Sequence, residues 1–406
     1  MAAGVSVLLS PFCAVREHGN RTSGADCIAH TACYAAVVRA AAVMLLVYLL
    51  AGCSASTPGT HTRDSLVTSG ARDASLARSH VWREPDLAIE RVDLSHNPPG
   101  PFGDEDDVTC TFLFDAVDGT TPKFHCRTRE GSDIRVKYGT QNPELPAETA
   151  ASRLMWALGF PVDHIFRVHS VRCFGCPDDP FSALQCLEAG GTRDRCLAGA
   201  QADRAVIFDQ PTIERRKEGH VIESVPQQGW SWFELDRIDP HLGGAPRRDV
   251  DALRLMAVLL AHWDNKGPNQ RLLCPPGVPF NDGVCAAPLA MIQDLGATFG
   301  PLKLDFPNWQ RTQIWADARS CIATMKALPY DGGTFGEHAI SEEGRQLTLR
   351  LLRRLSVTQI RSLFVGSGAT RLNQVVAAAH DPDAWTGVFL DKVKQIETAG
   401  PCPLTP

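Results

Sequence analysis

"LLAHWDNKGPNQ", residues 259–270, is an apolar helix end that runs straight into a tight polar loop. Upstream, Val250, Leu253, Met256, Ala257 and Leu260 recur at helical spacing, and residues 255–261 are almost all apolar. That pattern predicts a helix buried all round near its end. Gly267-Pro268 then stops the helix, and His262, Asp264, Lys266 and Asn269 are set around the break. An Asp and an Asn five residues apart, with a cation between them, could face one site. Asp and Asn beside Gly-Pro are also ordinary turn residues, so other parts of the chain must decide.

Three other stretches bear on it. "MIQDLGATFG" reads as a strand ending at Asp294-Leu295-Gly296, where the glycine could simply supply a positive φ. "VTCTFLF" and "PKFHCRT" read as paired strands joined by Asp118-Gly119-Thr120, and "DIRVKYG" as a third strand carrying Lys137. A helix is predicted from about Pro146 to Leu158, with Gly159 past its end and Glu148 on the same face as Ala151, Met155 and Leu158. Taken singly, Lys137 reads as an edge-strand charge and Glu148 as a favourable acidic residue near a helix start. "RAVIFDQ", "HVIESV" and "WSWFELDRI" read as strands, and the chain beyond about Asn308 is helical in texture.

The serial order is hairpin, strand Lys, helix Glu, strands, buried helix, Asp…Asn loop, strand, Asp-x-Gly, helices. His262-x-Asp264-x-Lys266-x-x-Asn269 with Asp294-Leu295-Gly296 resembles the protein-kinase-like superfamily over about residues 108–365, in its atypical HipA-type and phosphoinositide-kinase-like group. "DGTTPKF" is similar to the Gly-x-x-Pro-Lys hairpin of HipA-type proteins. The resemblance implies an α+β, two-lobed fold with a β-rich first lobe holding one helix and a mostly helical second lobe. It implies ATP and magnesium as cofactors, Asp264 as the base that positions the acceptor and Lys266 as electrostatic stabiliser. Asn269 and Asp294 would hold the metal, and Lys137, oriented by Glu148, would clamp phosphate. Gly119, Thr120 and Thr121 would offer backbone N–H groups to phosphate, with Lys123 adding charge. Trp263 stands where such kinases carry the Arg of His-Arg-Asp, which argues against control through that Arg.

The whole chain sets the context. Its 406 residues are 44% hydrophobic and 21% charged, with a net charge of −6 and no long basic run, so nucleic acid is not an expected partner. "AAAVMLLVYLLA", residues 40–51, is about half of what a membrane-spanning helix needs and reads as the apolar core of an export signal. Leu50-Ala51-Gly52-Cys53 resembles a bacterial lipobox, which implies lipidation at Cys53 and a membrane anchor by lipid only, on the exported side of the envelope. A plain secretory cleavage is the alternative. Of 14 cysteines, Cys13, Cys27, Cys33 and Cys53 fall in the leader, and the ten that remain are expected to form disulfides. For Cys173, Cys176, Cys186 and Cys196 a zinc site is the competing assignment.

The expected layout is a leader over 1–53, a flexible tether over 54–103, and a first lobe over 104–238 with a Cys-rich insertion at 171–200. A helical lobe with the catalytic loop follows over 239–406. The function expected is an envelope-anchored phosphotransferase acting on an unknown protein or small-molecule hydroxyl. The alternatives are a disulfide-stapled binding lipoprotein on a degenerate scaffold, and transfer of AMP in place of phosphate.

Overall fold

The computed structural model describes residues 66–328 and 332–403, and the leader with Cys53 lies outside them. The chain enters through helix α1 (Ser69–Leu76), whose N-terminus is capped by the Thr68 hydroxyl accepting from the Ala71 amide at 3.1 Å. The tether expected over 54–103 is therefore corrected from residue 66 onward. Leu76, Val81, Ile89, Val92 and Leu94 are buried in the main core, and Arg72 donates to Glu234 at 2.9 Å and to the Gly229 carbonyl at 2.7 Å. These apolar residues follow no period because the segment crosses the core as an irregular strap, so only tertiary contact reveals them.

Seven strands follow in one sheet: β1 (Asp107–Leu113), β2 (Lys123–Thr128), β3 (Asp133–Lys137), β4 (His164–Arg167), β5 (Ser170–Phe174), β6 (Ala205–Asp209) and β7 (Thr212–Arg215). Their spatial order is β4-β7-β3-β2-β1-β5-β6. Val108, Cys110 and Phe112 alternate inward along β1 and pack with Phe124, Val136, Phe208 and Ile213 in a core of their own. Between β3 and β4 lies α2 (Glu144–Ala157), buried along nearly its whole length. One side faces the sheet, while Ala147, Ala150, Leu154 and Met155 join the main core. Gly159 ends the region at φ 90°, with the Arg83 carbonyl only 2.0 Å from where a Cβ would sit.

The Cys-rich insertion folds as α3 (Pro180–Glu188) and α4 (Arg193–Cys196). The second half is built on α5 (Arg247–Leu259) and a three-stranded sheet of β8 (His220–Val221), β9 (Gln270–Cys274) and β12 (Leu289–Ile292), with the hairpin β10 (Phe280–Asn281) and β11 (Val284–Cys285) between the last two. After α6 (Phe306–Arg311) comes a small sheet, β13 (Trp315–Asp317), β14 (Ile322–Thr324) and β15 (Glu337–Ala339), and then α7 (Glu342–Leu352), α8 (Val357–Ser367) and α9 (Pro382–Thr398). The fold is α+β, with a β-rich half and a helix-rich half. Two local expectations change: "WSWFELDRI" contains a 3-10 turn over Trp232–Arg237 closed by a Ser231/Glu234 capping box, and β13–β15 interrupt the helical stretch.

All ten described cysteines pair: Cys110–Cys126, Cys173–Cys176, Cys186–Cys196, Cys274–Cys285 and Cys321–Cys402. The insertion therefore carries two disulfides, not a zinc site. Five disulfides belong to an oxidising, extracytoplasmic compartment. Among the described residues no helix is long and apolar enough to cross a membrane.

Candidate active site

Helix α5 ends at Leu259, and Ala261 at φ 51° turns the chain into the loop. His262 is fully buried, with both ring nitrogens unpartnered, and burial pushes it down to about 4, so it stands there as a neutral packing group. Asp264 sits at the mouth of the loop, and its carboxylate is 3.0 Å from the Lys266 ammonium. A 3-10 turn over Gly267–Asn269 brings Asn269 back, so that its side-chain amide donates to the Asp264 carbonyl at 2.6 Å. The carbonyl of Asn269 in turn accepts from the Gln293 and Asp294 amides at 3.1 and 3.3 Å. One residue thus fastens the loop after α5 to the end of β12.

Asp294 follows β12 and accepts from the Gly296 amide at 2.9 Å. Burial pushes its carboxyl up, but Lys137, the Gly296 N–H and Lys123 together hold it below its ordinary value. Gly296 has no positive φ; it is a glycine because Glu144 lies against it, with the Glu144 Cγ 2.3 Å from where a Cβ would be. The turn role expected for it gives way to close approach.

Lys137, at the end of β3, is almost fully buried and donates to both oxygens of Glu148 at 2.8 Å. Glu144 lies at 3.3 Å from the same ammonium and Glu214 at 4.0 Å. Burial alone would lower the Lys137 pKa, yet Glu148, Asp294, Glu144 and Glu214 raise it well above that of an ordinary lysine. Glu148 is pushed up, chiefly by burial and by the neighbouring carboxylates, which outweigh Lys137. Glu214, paired with Arg135 at 3.1 Å, is drawn down to about 2 against its burial by Arg135, Lys137 and Arg216.

The hairpin contributes unevenly. Gly119, at φ 79°, sits above the Lys123 ammonium, 3.4 Å from where a Cβ would be. Lys123 is buried directly across from Lys137 in the β2–β3 register, and burial together with Lys137 and Arg135 lowers it. Thr120 is exposed, whereas Thr121 is buried with its hydroxyl donating to Glu144. The structure therefore gathers Lys137, Glu148, Lys123, Asp294, Asn269 and Asp264, and leaves Thr120 on the outside.

Three participants were missed from the sequence alone. Glu144 holds Thr121, Lys137 and Lys303 at once. Its signal was present, since it lies four residues before Glu148 and so on the same helix face. Glu214 approaches from β7, with no local cue. Asn265 is buried inside the loop, and its side-chain oxygen accepts from the Thr334 and Phe335 amides at 2.7 and 3.0 Å.

The donors fit a hard divalent cation. Asp294 is held ionised and only one of its oxygens accepts from Gly296, while Asn269 has committed its amide nitrogen and so presents an oxygen. Among the described residues no cluster of three or more His, Cys, Asp or Glu is placed to hold a metal by itself. Magnesium takes few protein ligands and keeps water and phosphate for the rest.

No protein-family model matches the chain, and no curated protein sequence does. Among solved structures, the Helicobacter pylori proinflammatory kinase CtkA is similar at 12% identity and a TM-score of 0.40, over 73% of this chain and 96% of that chain.

Proposed function

We propose that this protein is an exported, kinase-like phosphotransferase that moves a phosphoryl group from magnesium-bound ATP to a hydroxyl of a protein or small-molecule acceptor. One observation carries the reading: Asn269 ties the Asp264 loop to Asp294 where the buried Lys137–Glu148 pair points its charge. The side-chain oxygens of Asp294 and Asn269 would hold magnesium, which when bound neutralises the phosphates. Lys137, kept in place by Glu148, gives the phosphates a fixed cation. Asp264 orients the acceptor hydroxyl once Lys266 turns from it to the transferred group. The backbone N–H groups of the Gly119–Thr121 hairpin would meet the phosphates, with Lys123 beneath, while the Thr120 side chain stays exposed. Such chemistry depends on position and charge, and needs no covalent nucleophile. Lipidation of Cys53 would hold the enzyme at the envelope.

A second reading has its own observation. Glu144 already occupies Thr121, Lys137 and Lys303, so the groups meant for phosphate are satisfied by a carboxylate. Under it the chain is a disulfide-stapled binding protein on a degenerate scaffold.

Melting shifts with magnesium and ATP, together with labelled-phosphate transfer into an envelope extract, separate the two. A ligand at a hundred times its Kd adds about 2.7 kcal/mol. Wild type should show that shift; Asp294→Ala should lose both shift and transfer, and Asp264→Ala should keep the shift and lose transfer at least a hundredfold. A wild type with no shift hands the site to the second reading.

A further inference from the structure

A well-formed apolar cavity lies away from this site. It holds about 500 Å³, within the range of small-molecule pockets, between the N-terminal strap, the end of α2 and the turn into β4. Trp82, Trp156, Phe160, Val162 and Leu289 are among the residues of its apolar wall. The wall is held firmly. The Trp82 indole donates to the Leu158 carbonyl at 2.8 Å, Trp156 meets His164 edge-on at 6.1 Å, and Val162 bridges to Ile292. His164 is pushed down to about 4 by burial and the Lys217 charge, so it lines the cavity as a neutral ring.

The charges at the rim do not balance. Arg83 is paired with Asp86 at 3.3 Å, an exposed pair that cancels itself. Lys217 is half-buried, and among the described residues its ammonium makes no hydrogen bond or ion pair. The nearby Asp163 cannot serve it, because that carboxylate accepts from the Lys217 backbone amide at 2.7 Å and pairs with Arg271. Burial, first, and the Arg83 charge lower the Lys217 pKa by more than the carboxylates of Asp163 and Asp86 raise it. A neutral occupant would leave that charge uncompensated, and a cation would meet Lys217 with the Arg83–Asp86 pair adding no net charge.

We propose that this cavity binds a small organic acid, an apolar ring or chain with a single anionic head, the head meeting Lys217 and the body lying against Trp82, Trp156 and Phe160. Such binding requires no nucleotide chemistry elsewhere in the chain.

Calorimetric titration of the full chain with 1-naphthoate and with 1-naphthylmethylammonium tests it, since the two probes share one ring system and differ in charge. Naphthoate should bind saturably, one to one, and at least tenfold more tightly than the ammonium. Lys217→Met should weaken naphthoate at least tenfold, about 1.4 kcal/mol, without weakening the ammonium. Leu289→Trp, which fills the cavity from β12, should abolish binding of both probes while circular dichroism stays unchanged. Equal affinity for the two probes, indifference of naphthoate to Lys217→Met, or no saturable binding at millimolar concentration would each overturn the proposal.

Discussion

Replacing Lys137 by Met, which matches its length without its charge, removes the only cation within hydrogen-bond distance of Glu148 among the described residues. Both partners are 1% exposed, so water cannot take over. Breaking a buried pair on one side costs about 3–5 kcal/mol, and the low end applies because the Arg135 charge still acts on Glu148. Glu148 can also escape by binding a proton. Its folded pKa is already raised, and without Lys137 it rises further. A carboxyl with a raised folded pKa contributes stability that is fully present below its unfolded pKa and lost as pH rises through the folded one. The deficit of Lys137→Met should therefore be about 3 kcal/mol at pH 8 and smaller at pH 6. Glu148→Gln on top of it removes the charge that has lost its partner, so the double variant should regain about 1 kcal/mol or more at pH 8, and its stability should vary less with pH. Urea unfolding followed by tryptophan fluorescence, with disulfides intact, gives all four corners of the cycle. A deficit under 1 kcal/mol for Lys137→Met, or a coupling energy within about 0.5 kcal/mol of zero, would refute the pairing.

Three further outcomes are expected. Gly296→Ala drives a methyl into Glu144 and should cost about 1–3 kcal/mol by overpacking, read as a lowered melting temperature, and should weaken magnesium-ATP stabilisation beyond that cost. His262, buried and neutral with its pKa near 4, leaves the unfolded chain binding the extra proton below about pH 6.5; its own contribution lowers stability by about 2 kcal/mol at pH 5 relative to pH 7.5, so His262→Leu should shift the stability difference between those two pH values by about that amount. Replacing Cys321 and Cys402 by Ser opens a loop of sequence separation 81, for which chain entropy gives a loss of about 4.5 kcal/mol, measurable by denaturant unfolding under non-reducing conditions.

The parts legible in the sequence are those with local punctuation. Asp118-Gly119 marks the β1–β2 turn, Gly159 the end of α2, and Gly267-Pro268 the loop after α5. Glu148 stood out because a carboxylate on an apolar face demands a partner, and Lys137 proved to be that partner. Trp230, Trp232 and Phe233 look like a strand when counted for hydrophobicity, yet Ser231 and Glu234, three apart, spell the capping box that closes the turn. Leu76, Val81 and Ile89 gave no period because each is buried by residues distant in sequence. Glu214 and Thr334 reach their partners only through the fold, and no spacing rule records that.

Asn265 ties together more of the chain than its own loop. Its side chain caps two amides of the segment after residue 331, donates to the His262 carbonyl at 2.9 Å, and sits one residue from Asp264. The Thr334 hydroxyl completes the knot by donating to the Asn265 carbonyl at 3.1 Å and accepting from the Trp232 amide at 3.0 Å. Three stretches of chain, around residues 232, 265 and 334, are thereby registered against one another. The entropy cost of arranging them is met during folding and not at each encounter with a ligand. Whatever docks beside Asp264 meets a wall that these bonds have already set to shape, and discrimination there follows its outline.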